Sequence, residues 1–304
     1  MLDIIIVGAG AAGMTAALYA LRSGKSVLVL EQETIGGQVA ISPRVENFPS
    51  IEHISGEDFA DKLFEQISSL GAVVELEKVL SVKKFGNIFN VTTDYNTYQS
   101  KSVIIAAGVK HKRLMLDKED ELIGNGISYC AVCDGAFFKG EEVALVGDAN
   151  SALQYALLLS NYCPKVHMFT LFDKFFGDES LVRAVRQRDN ITVHSDTAVT
   201  AFLGDGELTG FVYKDKRGAE HTHKTKALFI AIGQVPDNGL FAPLTDLDEN
   251  GYIIAGEDCL TKTEGLFVAG DCRTKKIRQL TTASADGAVA ALAACSYLDK
   301  QTIA

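Results

Sequence analysis

Cys130-Ala131-Val132-Cys133 is followed directly by Asp134 and Gly135. Two thiols at this spacing can close a small disulfide, and the pairing lowers one thiol pKa enough to supply thiolate near neutral pH. Asp134 stands where it can move a proton. The competing readings are half of a zinc site and inert packing, but Cys163, Cys259, Cys272 and Cys295 offer no second C-x-x-C, so the segment reads first as a redox pair. The four isolated cysteines read as small buried residues. Six cysteines in 304 residues, with no signal-peptide pattern, point to a reducing, cytoplasmic compartment in which a functional disulfide is transient. His221 and His223, in the charged stretch from Lys214 to Lys226, read as exposed residues of a hairpin.

A second chemistry is written at the start of the chain. Ile4-Ile5-Ile6-Val7 predicts a buried parallel strand, Gly8-Ala9-Gly10-Ala11-Ala12-Gly13 a glycine-rich turn, and Met14 to Leu21 a helix. A further strand from Val27 to Leu30 ends at Glu31. This is a βαβ unit with G-x-G-x-x-G and a terminal acid, the pattern that binds a dinucleotide. Gly8 makes the tight turn, Gly10 admits a pyrophosphate to the backbone, Gly13 lets helix and strand approach, and Glu31 accepts from ribose hydroxyls.

The pattern recurs in register at mid-chain. A strand at Val143–Val146, the loop Gly147-Asp148-Ala149-Asn150-Ser151-Ala152, a helix through Leu159 and a strand at Val166–Phe169 pair Gly8 with Gly147, Gly10 with Ala149, Gly13 with Ala152 and Glu31 with Thr170. This copy is chemically weaker. Ala149 puts a methyl at the pyrophosphate position, and Thr170-Leu171-Phe172 lacks both the acid and the arginines that nicotinamide cofactors use. Two lost contacts of roughly 1.5 to 3 kcal/mol each amount to about a hundred- to ten-thousand-fold in affinity.

The apolar runs Val103–Gly108 and Ala227–Gly233 predict two more strands, and Lys110–Leu114 and Gln234–Asn238 the crossings between domains. A strand near Leu266–Ala269, Gly270-Asp271 and an alanine-rich helix complete the chain. The expected fold is α/β, with two Rossmann-like domains of the FAD/NAD-linked reductase type, the second inserted into the first. Residues 1–113 with 242–304 form the outer domain and 114–241 the central one. The composition, 47% apolar and 22% charged, is ordinarily globular, and a net charge of −10 argues against a nucleic-acid partner. The uncharged stretch Ile4 to Leu21 is broken by three glycines and reads as buried structure, not a membrane span.

Taken together, GAGAAG, Gly36-Gly37-Gln38, Val45-Glu46-Asn47-Phe48-Pro49, the SYCAVCDGAFF segment, Gly270-Asp271 and Arg278-Gln279 resemble the low-molecular-weight thioredoxin reductase family over the whole chain. The resemblance implies FAD in the outer domain, with Gly10, Ala11 and Ala12 at the pyrophosphate and Glu31 at the adenosine ribose. It also implies Gly37, Gln38 and Asn47 along the flavin moiety, Val79 near the adenine, and Ala107 and Gly108 beside the cofactor. Asp271 would hold the ribityl region, and Arg278, Gln279 and Leu280 would approach the ring. By the same resemblance Cys133 faces the flavin, Cys130 attacks the disulfide of thioredoxin and Asp134 is acid and base. A homodimer and a rotating central domain are implied as well.

The family's NADPH motifs stand here as Gly147-Asp148-Ala149-Asn150-Ser151-Ala152 and Thr170-Leu171-Phe172, the positions already found weak for NADPH. The variant most resembled is the ferredoxin-dependent flavin thioredoxin reductase. A drop from about −400 mV to about −270 mV releases roughly 6 kcal/mol for two electrons, so ferredoxin is an energetically competent donor. Candidate basic patches for it are Lys110, Lys112 and Arg113, and Arg273, Lys275, Lys276 and Arg278. A dithiol oxidase passing electrons to oxygen, a reductase that retains NAD(P)H, and a flavin-binding redox sensor stand as alternatives.

Overall fold

A computed structural model describes residues 1–42 and 45–303. The chain begins with β1 (Leu2–Val7), α1 (Ala11–Arg22), β2 (Val27–Glu31), α2 (Gly56–Ser69) and the strands β3 (Val73–Leu76), β4 (Val79–Phe85), β5 (Ile88–Thr93) and β6 (Thr97–Ile105). After β7 (Lys110–His111) come α3 (Glu119–Leu122), β8 (Ile127–Ser128), α4 (Ala131–Asp134), β9 (Glu142–Val146), α5 (Asn150–Leu159), β10 (Lys165–Phe169), α6 (Glu179–Arg186) and β11 (Ile191–His194). The strands β12 (Ala198–Asp205), β13 (Glu207–Lys214), β14 (Glu220–Lys224), β15 (Leu228–Ile230) and β16 (Gln234–Val235) follow, then β17 (Leu266–Val268) and α7 (Leu280–Ile303).

Two compact units result: Met1–Lys110 with Val235–Ala304, and His111–Gln234. The divisions fall slightly earlier than the 113/114 and 241/242 boundaries read from sequence. Phe241 accounts for the second, because it is buried in a cluster with Ile5, Val7 and Ile253 of the outer unit.

In the outer unit the sheet runs β3-β2-β1-β6-β5-β4, with β17 also on β6. Alternation sets its two faces: Ile4 and Ile6 pack with α1 and α7 residues such as Met14 and Ala290, whereas Ile5 and Val7 pack with Val82 and Phe89. The uncharged Ile4–Leu21 stretch is thus strand, turn and helix. Among the described residues no helix is long and apolar enough to cross a membrane.

The inserted unit holds a parallel sheet, β11-β10-β9-β15-β8, and an antiparallel sheet, β12-β13-β14. One face of the parallel sheet packs on α5 through Leu145 and Leu153, and the other meets the antiparallel sheet through Phe169, Phe202 and Phe211. His221 is exposed and pairs with Asp215 at 2.9 Å, as a surface hairpin residue would. His223, expected beside it at the surface, instead turns inward. His221 and His223 share one face of β14, but His223, opposite Phe211, lies against Phe169 of the parallel sheet, whereas His221, opposite Tyr213, is exposed.

The His223 ring lies 4.6 Å from that of His167 and 5.1 Å from Phe169, while a ring nitrogen of His167 is 3.1 Å from one of His194. Burial holds all three imidazoles below their ordinary 6.5, His223 at about 4. Their neutral forms are favoured by folding, so this stabilisation is complete above pH 6.5 and is lost as pH falls toward about 4. The urea midpoint should fall over that window. His223→Leu should flatten the fall, and a slope as steep as the parent's would show that these rings do not set it.

Candidate active site

The first glycine turn can be built from its steric limits. Gly8 has φ +108°, and a Cβ there would lie 2.3 Å from Ala106 O; a Cβ on Gly13 would lie 1.8 Å from Gly8 O. Both glycines are demanded by the protein itself. Gly10 is different, because the nearest atom to a Cβ there is Gly36 O at 3.8 Å. The fold leaves this space open at the start of α1, beside Ala11 and Ala12. Such a cradle fits a pyrophosphate drawn against the backbone N–H groups of a twelve-residue helix.

Glu31, 8% exposed at the end of β2, accepts the Ala9 backbone N–H at 2.7 Å and that of Glu33 at 2.9 Å. It braces the turn, and each carboxylate oxygen keeps a lone pair for a ribose hydroxyl. Gly37, at φ +58°, lies against Gly10, and the Gln38 amide donates to Val109 O. That bond ties the Gly37-Gln38 turn to the segment carrying Ala107, which is exposed, and Gly108, at φ +66° with open space around it. The Asn47 amide donates to Gln279 Oε1 at 3.3 Å. Leu280 packs against the cluster of Ala11, Val45 and Phe59, and Val79 is buried at the start of β4 beneath β2.

The Gly270-Asp271 turn sits next to Ala12, whose methyl would be 2.8 Å from a Cβ on Gly270. Asp271 Oδ1 is buried without a hydrogen-bond partner, and burial pushes its carboxyl up to about 6. An orphaned acceptor there fits a ligand hydroxyl. Arg278 donates to Asp271 O at 3.2 Å and lies over the Tyr252 ring at 4.1 Å. These residues therefore fit an FAD along one face of the outer unit.

What holds the Asp271 turn was not read from the sequence. Arg273, 2% exposed, makes two hydrogen bonds of 2.8 Å to the Asp286 carboxylate, which also accepts from Lys275 at 2.9 Å and from the Gly270 N–H at 3.0 Å. Arg273 and Lys275 are thus buried partners of an acid on α7, and the proposed basic patch of Arg273, Lys275, Lys276 and Arg278 is corrected accordingly. In the other patch Lys110 pairs with Glu33 and Arg113 with Asp120.

The inserted unit repeats the turn with altered decoration. Gly147, at φ +146°, would place a Cβ 2.5 Å from Ala231 O, so it repeats the task of Gly8. Ala149 caps α5 where Gly10 caps α1. Thr170 is buried, and its hydroxyl donates to Phe172 O at 2.7 Å. Leu171 and Phe172 are exposed.

Cys130 and Cys133 are joined by a disulfide across the first turn of α4, with Cα atoms 5.3 Å apart. Cys130 caps this turn, and its sulfur accepts the Cys133 backbone N–H at 3.2 Å, a contact that stabilises a thiolate at Cys130 on reduction. Burial raises the Asp134 carboxyl above the usual carboxylate range, opposed by a hydrogen bond from Ser128. A carboxyl raised in this way holds its proton more readily than an exposed one, as a group that passes protons requires. The other four cysteines are buried free thiols; Cys163 and Cys272 are pushed up to about 11 and Cys259 to about 12, so they stay protonated.

Removing Asp286 leaves buried cations without their acid, which typically costs about 3–5 kcal/mol. Asp286→Ala should lower the urea midpoint by a corresponding amount and weaken FAD retention on gel filtration. Unchanged stability would mean that Arg273 finds another partner.

The arrangement has close counterparts. Residues 2–287 match the profile of the pyridine nucleotide-disulphide oxidoreductase family. A thioredoxin reductase of Treponema pallidum (strain Nichols) is 37% identical over 299 residues, 98% of this chain and 97% of that protein. The crystal structure of thioredoxin reductase from Streptococcus pyogenes superposes with a TM-score of 0.94 at 35% identity, covering 99% of each chain. A ferredoxin-flavin thioredoxin reductase from Clostridium acetobutylicum has a TM-score of 0.55 at 30% identity over 100% of this chain and 99% of that one. With two glycine turns, a C-x-x-C disulfide in the inserted unit and relatives that match it from end to end, the chain belongs to the pyridine nucleotide-disulphide oxidoreductase family, among the thioredoxin reductases.

Proposed function

We propose that this protein is a cytoplasmic FAD enzyme that reduces the disulfide of thioredoxin through Cys130 and Cys133 with electrons from reduced ferredoxin, not from NAD(P)H. The observation that carries the donor assignment is the second glycine turn. It keeps the glycine required by its own fold, has a methyl at Ala149, commits the Thr170 hydroxyl to Phe172 O and exposes Leu171 and Phe172 where a phosphate would need cations. The likeness to a protein described as a ferredoxin-flavin thioredoxin reductase supports the same reading.

FAD, when bound, would supply the electron pair that reduces the Cys130–Cys133 disulfide. The chain's own residues do the rest. Gly10, Ala11 and Ala12 take the pyrophosphate, Glu31 the adenosine ribose and Asp271 the ribityl region. Val79 would lie toward the adenine, Gly37, Gln38, Asn47, Ala107 and Gly108 would line the flavin, and Arg278, Gln279 and Leu280 would bound the ring. Cys133 is the sulfur assigned to receive the electrons. Cys130, whose thiolate is stabilised by the Cys133 N–H, attacks thioredoxin; Cys133 then closes on Cys130 and releases the reduced partner while Asp134 moves the proton. A homodimer belongs to this reading: Tyr19 on α1 and Val289 and Leu292 on α7 are exposed apolar side chains that a second copy would cover.

Under anaerobic conditions reduced ferredoxin should bleach the flavin, NADPH and NADH should not, and oxidised thioredoxin should restore the colour. Rapid bleaching by NADPH overturns the donor assignment, and rapid reoxidation by oxygen after reduction by a dithiol would identify an oxidase. Cys130→Ser should abolish turnover of thioredoxin.

Combining Ala149→Gly, Thr170→His, Leu171→Arg and Phe172→Arg should recover part of the missing nucleotide affinity, within about a hundred- to ten-thousand-fold. It is checked by the NADPH concentration that half-bleaches the flavin. No gain would mean that these four side chains are not what excludes the nucleotide.

A further inference from the structure

Ser128 ends β8, buried beside the disulfide. Its Oγ accepts the Cys130 backbone N–H at 3.0 Å and donates its one proton to Asp134 Oδ2 at 2.5 Å. Asp134 Oδ1 is buried with no hydrogen-bond partner. The two carboxyl oxygens are therefore inequivalent. A proton on Oδ2 would displace the Ser128 proton from its acceptor, whereas a proton on Oδ1 leaves both Ser128 hydrogen bonds intact.

We infer that Ser128 is a positioning residue that assigns the exchangeable proton of Asp134 to Oδ1 and so sets its delivery during disulfide exchange. This rests on the reading of Cys130, Cys133 and Asp134 as the redox centre and is independent of the electron donor. In the exchange, Cys130 attacks as the thiolate, its proton having passed to solvent; its Sγ bonds to one partner sulfur as the partner S–S bond breaks, and the first partner thiolate takes a proton back from solvent. Cys133 then gives its proton to Asp134 Oδ1 as its sulfur closes on Cys130 Sγ. The second partner thiolate leaves and takes that proton from Oδ1. Two electrons and two protons have passed to the partner, and one S–S bond has replaced another.

Among the described residues Tyr155 of α5 interacts electrostatically with Asp134, the Tyr162 hydroxyl stands over Gly135, and Cys130 and Cys133 belong to the same short turn. Because the Ser128 hydrogen bond stabilises the carboxylate, its loss moves ionisation of Asp134 upward.

The test uses FAD-loaded protein reduced by dithionite, freed of excess reductant and mixed anaerobically with an aromatic disulfide whose released thiolate is coloured. In Ser128→Ala the limb on which the rate rises with pH should move up by about one pH unit. Ser128→Thr, which keeps the hydroxyl, should restore it, and Ser128→Ala should add nothing in an Asp134→Asn background. An unmoved limb overturns the inference. If Ser128→Ala fails to fold, the infrared carbonyl band of protonated Asp134 in the parent protein, identified by its absence in Asp134→Asn, decides. A hydrogen-bonded carbonyl is expected, and a free one refutes the assignment. Disulfide reduction at the parent rate by Cys130→Ser would instead overturn the underlying redox centre.

Discussion

Three contacts that admit no methyl group organise the outer unit. A Cβ on Gly13 would sit 1.8 Å from Gly8 O, one on Gly287 2.2 Å from Ala12 O, and one on Gly270 2.8 Å from the Ala12 methyl. The first presses α1 onto the end of β1, the second presses α7 onto α1, and the third brings the Asp271 turn to the same helix. Close packing of this kind is short-ranged and stiff, so the start of α1, the end of β2 and the Asp271 turn are fixed relative to one another before any ligand arrives. Preorganisation of a cofactor cradle is here a result of backbone approach.

The charged cluster under that cradle depends on the same approach. Asp286 precedes Gly287 on α7, and its carboxylate gathers Arg273, Lys275 and the Gly270 N–H. Burial of such a cluster is tolerable because the acid meets two cations and a backbone donor at once. Asp271, one residue from Gly270, has no hydrogen bond to Oδ1 and only Lys275 Nζ at 4.0 Å, so one acid is fully occupied within the protein and its neighbour is left with an open acceptor.

Much of the fold and the outline of the site were legible in the sequence because their determinants are local. A β-branched run, three glycines and an acid occur within thirty-one residues and recur in register from Gly147, and the C-x-x-C-D segment is contiguous. What stayed hidden depends on partners distant in sequence or on which way a strand side chain faces. Arg273 and Lys275 read as part of a basic docking patch because nothing local distinguishes exposed cations from cations paired with an acid one helix away. His223 read as exposed by association with His221, though the two-residue spacing on a strand does not fix the depth of either. Ser128 stood inside the SYCAVCDGAFF segment with no task of its own, because its hydrogen bonds to Cys130 and Asp134 appear only once the end of β8 meets the start of α4.

The two glycine turns also separate what a fold requires from what a ligand requires. Gly8 and Gly147 both carry strongly positive φ values and would both drive a Cβ into a carbonyl oxygen, so each turn needs its glycine whether or not anything binds. Gly10 meets no such obstacle, and its counterpart Ala149 takes up the same capping place on its helix with a methyl. Sterics of the protein alone would permit alanine at both positions. The outer unit keeps glycine at this optional place, together with Glu31 at the strand end; the inserted unit has neither. A backbone that builds the turn twice while leaving the optional glycine and the acid in one copy only is what two units of common architecture would look like if one of them holds a dinucleotide and the other serves chiefly to carry Cys130 and Cys133.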